Sequence, residues 1–419
     1  MTEAAQFTDL ISKVIDNRGK TCPTAERGIP LIATNCVKNE TLYPVFEKVR
    51  YVSDETFRTW FRGHPITGDL IFVTKGSPGQ VCLAPDPVNF CIAQDMVAVR
   101  ANPSKVYPLY LFAALRSPQV QADIGNMHVG TLIPHFKKGD FDKLKIPLPS
   151  TKQQIATGDF YHITSQKIEL NRRMNETLEA MAQAIFRDWF VDFGPTRRKL
   201  DGATDPVTIM GGLVQNTEQA QGLADLFPAA LGDDGLPEGW SFKPLEESLV
   251  LQRGFDLPKF SRTDGLYPVI AASGPSGTHS EFKVVAPGVC TGRSGVLGNV
   301  FYVQQDFWPL NTSLWIKAYP NATPIYAYFL LREIDLLALN AGSAVPTLNR
   351  NHVHNRPTVT PPMAVVSAYT GLAEMLMVKS DHAAKECQTL AATRDFLLPK
   401  LMSGEIRLSE AEGLTEAAQ

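Results

Sequence analysis

The sequence predicts an α+β protein: two repeated globular α/β halves separated by a pair of long antiparallel coiled-coil helices. Three observations carry this reading. The chain of 419 residues repeats itself. Each copy opens with β-branched and aromatic runs cut by Gly/Pro turns, the signature of short strands. Each copy closes with a long run of helix formers whose apolar residues recur at alternating three- and four-residue spacing.

The repeat is read by laying the chain on itself. "RGKTCP" (Arg18 to Pro23) parallels "RGFDLP" (Arg253 to Pro258), and "IPLIATN" (Ile29 to Asn35) parallels "YPVIAAS" (Tyr267 to Ser273). "DLIFVTKGSPGQV" (Asp69 to Val81) resembles "PGVCTGRSGVLGNV" (Pro287 to Val300), with one residue of slippage in the glycine loop. "YPLYLFAALR" (Tyr107 to Arg116) matches "TPIYAYFLLR" (Thr323 to Arg332), which predicts a helix in each copy, the second running on through "EIDLLAL". Beyond these the register locks without a gap: Gly130 with Gly342, Pro134 with Pro346, Lys167 with Lys379, and Thr177-Leu178 with Thr389-Leu390.

The long helices follow. In the second copy Val366, Tyr369, Ala373, Leu376, Ser380, Ala383, Cys387, Leu390, Arg394, Leu397 and Leu401 keep the spacing of a heptad seam. The counterparts of the last seven, from Ser380 on, are Ile168, Asn171, Asn175, Leu178, Ala182, Ile185 and Trp189. Polar seam residues (Asn171, Asn175, Ser380, Arg394) call for matched partners, because a buried polar group needs one. Helices of this length reach ~55 Å at 1.5 Å per residue. The expectation is that they pack on each other as a spacer, with Ile168, Leu178 and Ile185 facing Leu390 and Leu397. The alternative is two surface helices, each packed on its own half.

The boundaries expected are residues 1–150 for the first globular half, 151–193 for the central helix and 194–236 for a connector with short helical pieces. The second half takes 237–362, opening at "LPEGW" (Leu236 to Trp240), the C-terminal helix 363–408 and a tail 409–419.

Composition places the chain among ordinary folded proteins, with 44% hydrophobic and 20% charged residues. Net charge is −3 and the sequence pI about 6.3, so any nucleic-acid surface has to be local. No apolar run approaches the ~18 residues of a membrane span. The first residues lack the pattern of a signal peptide. Six cysteines without a C-x-x-C pair read as reduced thiols, so a cytoplasmic location is expected.

Taken together, "IELNRRMNETLEAMAQAIFRDWFVDFGP", "LPEGW", "LLPKLMSGEIRL" (Leu397 to Leu408) and the repeat resemble the specificity subunit of type I restriction–modification systems. The resemblance implies two target recognition domains, each reading half of a bipartite double-stranded DNA target. It implies that the helices dock two methyltransferase subunits and that motor-endonuclease subunits join them. S-adenosylmethionine, ATP and Mg would belong to those partners, with no cofactor in this chain. The first half departs from the pattern in having no equivalent of "LPEGW".

Catalytic signatures are missing. "GKT" (Gly19 to Thr21) ends like a phosphate loop, but the loop needs Gly where Val14 stands. The histidines have no zinc spacing, and "HVH" (His352 to His354) reads as loop or strand. Asp264 with "EFK" only loosely mimics a nuclease triplet. The alternatives to a DNA reader are a stand-alone nuclease with duplicated domains and an adaptor that binds only protein.

Recognition chemistry is present. Phosphates are held by Lys, Arg and backbone N–H groups, and base edges are read by amide and Arg side chains. The glycine loops offer Lys75, Ser77 and Gln80 in one copy and Arg293, Ser294 and Asn299 in the other, where Gly permits close backbone approach. Just before each long helix stand Lys137 and Lys138, matched by Asn349 and Arg350. Arg18 and Arg253 form a third matched pair, with Arg62 and His64 as weaker candidates. The partner-facing helix residues expected are Ile168, Leu178, Ile185, Trp189, Leu390, Leu397 and Leu401.

Overall fold

The computed structural model describes residues 3–17, 20–127 and 134–406. The chain divides into two compact units: residues 1–175 with 382–419, and residues 176–381. Both long helices, Thr151–Phe190 and Met363–Ser403, therefore contribute one segment to each unit.

The first unit holds a four-stranded antiparallel sheet in the order Ile11–Asp16, Met96–Ala101, Leu70–Val73, Val81–Leu83. Its centre is "LIFV", buried throughout. Period-two alternation sends Leu70 and Phe72 into one core and Ile71 and Val73 into another. The helix Pro108–Arg116 covers the first face, together with Tyr161, Leu398 and Met402 from the long helices. A three-stranded sheet covers the second, with Ile29–Ile32 between antiparallel Arg50–Val52 and parallel Cys91–Ile92. A two-stranded ribbon pairs Ala4–Gln6 with Lys145–Pro147.

The second unit repeats this order. Its four strands run Val250–Arg253, Ser313–Ala318, Gly288–Gly292, Val300–Val303. Its three-stranded sheet sets Tyr267–Ala271 between antiparallel Gly274–His279 and parallel Trp308–Pro309, and its ribbon pairs Ser241–Pro244 with Pro357–Thr360. The sequence repeat is thus a repeat of topology. The matching helix, Pro324–Glu333, is shorter than expected. Ile334 turns extended, and the Asp335 carboxylate accepts from the Ala338 amide in a new turn, so "EIDLLAL" leaves the helix.

The long helices pair antiparallel inside the first unit. Gln153 donates to the Leu401 carbonyl (2.8 Å), Arg394 to Ser165 Oγ (3.0 Å) and Asn171 to Glu386 (2.7 Å). Two of the polar seam residues thus meet polar partners. This register corrects the expected facing. Leu397 and Leu401 pack on Phe160, and Ile168 lies beside Cys387, whereas Leu178 and Ile185 belong to the other unit. Leu178 and Leu390 are only half-buried.

In the second unit Ala182, Ile185, Phe186, Trp189 and Phe190 join one large core, where the Tyr369 hydroxyl donates to the Ala182 carbonyl (3.1 Å). The connector is part of this core as well. Its helices Gly194–Leu200, Pro206–Ile209 and Thr217–Ala224 bury Ile209, Met210, Ala220 and Ala224 alongside Phe227 and Trp240.

Candidate nucleic-acid interface

In each unit a central strand delivers the chain into a loop with two left-handed glycines. Gly76 and Gly79 have φ of 87° and 91°; Gly295 and Gly298 have 92° and 89°. Side chains rarely adopt that backbone, which accounts for Gly at all four positions. Each loop is then stitched to the segment that precedes the long helix of its copy. Gly76 donates to the Pro134 carbonyl and Phe136 to that of Thr74 (2.9 and 2.8 Å); Gly295 donates to Pro346 and Leu348 to Arg293 (2.9 and 2.8 Å).

These bonds fix the correspondence between copies. Thr74 is the counterpart of Arg293, Lys75 of Ser294 and Gln80 of Asn299. The expected match of Lys75 with Arg293 is corrected by one position. The loops are equally long, but the basic residue stands directly before the first glycine in the first (Lys75-Gly76) and one position earlier in the second (Arg293-Ser294-Gly295).

The loop, the end of the first strand of the sheet and the segment before the long helix converge on one cleft in each unit. The first has a volume of about 670 Å³, with Asp16, Arg62, Lys75, Asp95, Lys137 and Lys138 among its lining. Lys138 is ion-paired with Asp16, which also faces Arg62 at 3.6 Å, and Lys75 lies 3.9 Å from Asp95. Lys137 and Ser77 are exposed. Gln80 turns inward, its carbonyl oxygen accepting from the Asn39 amide at 2.6 Å, so it holds the loop instead of facing the cleft. Arg18 lies outside the described residues. His64 stacks on Phe57 at 3.8 Å and bonds the Phe57 carbonyl, and burial lowers its pKa.

The second cleft, about 400 Å³, is lined by Arg253, Arg293, Thr347, Leu348, Asn349 and Arg350 among others. Arg293 donates to the Asn311 carbonyl (3.3 Å), and Arg253 reaches Asp256 at 3.4 Å. Asp256 is also bonded by the Asn311 amide, so one network ties both arginines to the rim. Arg350 and Asn299 are exposed and Ser294 is half-buried. Asn349 is a helix cap: its side chain accepts from the Asn351 amide at 3.0 Å. "HVH" accordingly sits in a short helix, Arg350–His354, and not in a loop or strand. His354 is buried and accepts from the Leu251 amide through Nε2 (2.8 Å).

Sequence reasoning missed Asp16, Asn17, Gln94 and Asp95, which share the first cleft. They stand at strand ends with no motif around them. Among the described residues no group of three or more His, Cys, Asp or Glu is placed to hold a metal, and no helix is long and apolar enough to cross a membrane. All six cysteines are free thiols; burial pushes Cys82 up to about 12.

The arrangement suits an anionic polymer better than a small substrate, because each cleft is open and cations outnumber acids along its lining. Comparison with known proteins agrees with that chemistry. Residues 16–180 match the family model of the type I restriction modification DNA specificity domain. The chain is 22% identical over 369 residues to the type I restriction enzyme MjaIX specificity subunit of Methanocaldococcus jannaschii, covering 82% of this chain and 78% of that one. It is 22% identical over 406 residues to the HindI specificity subunit of Haemophilus influenzae, covering 81% and 86%. The crystal structure of the S subunit of a type I restriction–modification system from M. genitalium shares the fold, with a TM-score of 0.56, 16% identity and 96% of each chain covered.

Proposed function

We propose that this chain is a specificity subunit of the type I restriction–modification kind, which reads a bipartite double-stranded DNA target with its two clefts and supplies recognition, not catalysis. The observation that carries the reading is the repeated convergence: twice, on the same topology, a glycine loop, a strand end and a pre-helix segment bring cations to one cleft. Lys137, Arg253 and Arg350 are exposed to meet phosphates, while Arg293 can offer a planar fork to a guanine edge.

The paired helices would serve as the spacer between the two half-sites and as the docking surface for two methyltransferase subunits. Motor-endonuclease subunits would join that complex. S-adenosylmethionine, ATP and Mg would act in those partners.

The test is DNA binding by the chain assembled with its methyltransferase subunits, measured against salt, with the methylated sites mapped. The expected result is affinity falling linearly on a log–log salt plot and a methylation map showing two separated half-sites. Salt-independent binding, or turnover of DNA by the purified chain alone, would sink the reading. Exchanging residues 1–150 for those of another family member should change one half-site only.

A further inference from the structure

The second unit carries a side chain that neither its core nor the cleft accounts for. Phe260 is 91% exposed, the most exposed large apolar residue described, and Leu266 on the same segment is 87% exposed. Exposing a phenyl ring to water forgoes the free energy of burying it, so its position calls for a partner. The segment is not loosely held. Phe260 sits on a 3₁₀ turn, Lys259–Ser261, closed by the Ser261 amide to the Pro258 carbonyl (3.0 Å) and the Arg262 amide to Lys259 (3.2 Å). Arg262 anchors the turn by donating to the Ser276 carbonyl (2.6 Å), and the Thr263 amide donates to His279 Nδ1 (3.1 Å). The ring is thus presented on a fixed support.

Its neighbourhood identifies the partner's chemistry. Lys259 is exposed beside it. Four residues earlier Asp256 belongs to the network that links Arg253, Asn311 and Arg293 at the cleft rim. Four residues of chain span at most ~14 Å, about four base-pair steps of duplex at 3.4 Å each. A polyanion seated on Arg253, Arg293 and Arg350 therefore passes within reach of Phe260. An apolar side chain flanked by cations at the edge of a DNA site is the arrangement with which proteins unstack a base step.

We propose that Phe260 is a wedge that enters the duplex at or beside the half-site bound by the second unit. Sequence preference would then extend to a position where no base edge is contacted, because pyrimidine–purine steps yield most easily. The inference rests on the DNA-reading function proposed above. The first unit has no counterpart: "GKTCPTAERG" (Gly19 to Gly28) carries no aromatic residue.

The test uses the assembled complex and duplexes in which 2-aminopurine is placed in turn at steps within and flanking that half-site. A rise in emission at one step with the native chain, lost in Phe260→Ala and kept in Phe260→Trp, is expected. Affinity should fall about 5- to 150-fold in Phe260→Ala, the range seen when a base-stacking aromatic is removed. The salt slope should stay unchanged, whereas Lys259→Ala should lower it. Unchanged emission and affinity in Phe260→Ala would overturn the wedge. So would loss of methyltransferase assembly in that variant, which would make Phe260 a protein contact. Failure of the wedge alone leaves target binding and both half-sites in place; failure of DNA binding by the native complex removes both readings.

Discussion

The two clefts occupy the same place on the same topology and are lined by different chemistry. In the first, acids stand among the cations: Asp16 holds Lys138 and faces Arg62, and Asp95 lies near Lys75. In the second, three arginines line the wall, and the nearest acid, Asp256, sits on the rim beside Arg253. The backbone fixes where a ligand is met, through loop-to-segment hydrogen bonds that recur in both units. The side chains on that frame are free to differ. That division is what a reader of two unlike half-sites requires, since phosphate contacts position and base contacts specify.

The difference extends under the loops, and the largest expected effect lies there. Phe72, in the strand that feeds the first glycine loop, is fully buried among Phe7, Phe136 and Phe141. Its counterpart in the second unit is Thr291, whose hydroxyl donates to the Asn299 carbonyl at 2.7 Å. Phe72→Ala should cost about 3–5 kcal/mol, and Thr291→Val, which gives up one hydrogen bond, about 0.5–1.5 kcal/mol. Denaturant unfolding of the two variants checks the order. Equal losses would mean that the two loops are supported alike.

A smaller effect should separate the clefts in function. Arg293→Ala removes a planar donor from the second cleft and should cost about 1–3 kcal/mol at one half-site, relaxing its sequence there. Lys137→Ala in the first cleft should weaken all duplexes alike and reduce the salt slope by about one. Methylation maps and salt titrations of the assembled complex read both. A map relaxed at both half-sites by Arg293→Ala would break the one-cleft, one-half-site assignment.

How much of this was legible in sequence depends on how local the cause is. The long helices and the repeat were legible because 3.6-residue periodicity and matched turn signals lie along the chain itself. The loops were legible through their glycines, whose left-handed backbone almost demands that residue. The register inside them was not, because the basic residue stands directly before the first glycine in one loop and one position earlier in the other. Matching Lys75 with Arg293 is therefore off by one, and only the hydrogen bonds to Pro134 and Pro346 reveal it. Gln80 and Asn349 read as recognition amides, but one grips the Asn39 backbone and the other caps a helix. Polar side chains do such local work wherever a loop has spare backbone groups. The connector read as a linker because its helices are short, yet it buries apolar side chains beside Trp240 and Trp189.

The smallest expected effect tests the acids of the first cleft. Asp16 pairs with Lys138 and faces Arg62, all at a partly exposed site. Exposed ion pairs are worth about 0.2–1 kcal/mol, so breaking this one should leave the fold intact. Asp16→Asn keeps the shape, removes one negative charge and frees two cations. If Asp16 merely restrains them, affinity should rise about two- to fivefold for every duplex, the salt slope should steepen, and the first half-site should keep its sequence. A carboxylate can also accept from the cytosine amino group. Were Asp16 a base reader, the same substitution would lower affinity for the target alone and relax one position of that half-site. A titration against target and scrambled duplexes, with a methylation map of the variant, separates the two. Only the second outcome would make the first cleft a reader through its acids as well as its cations, and so widen its contrast with the arginines of the second.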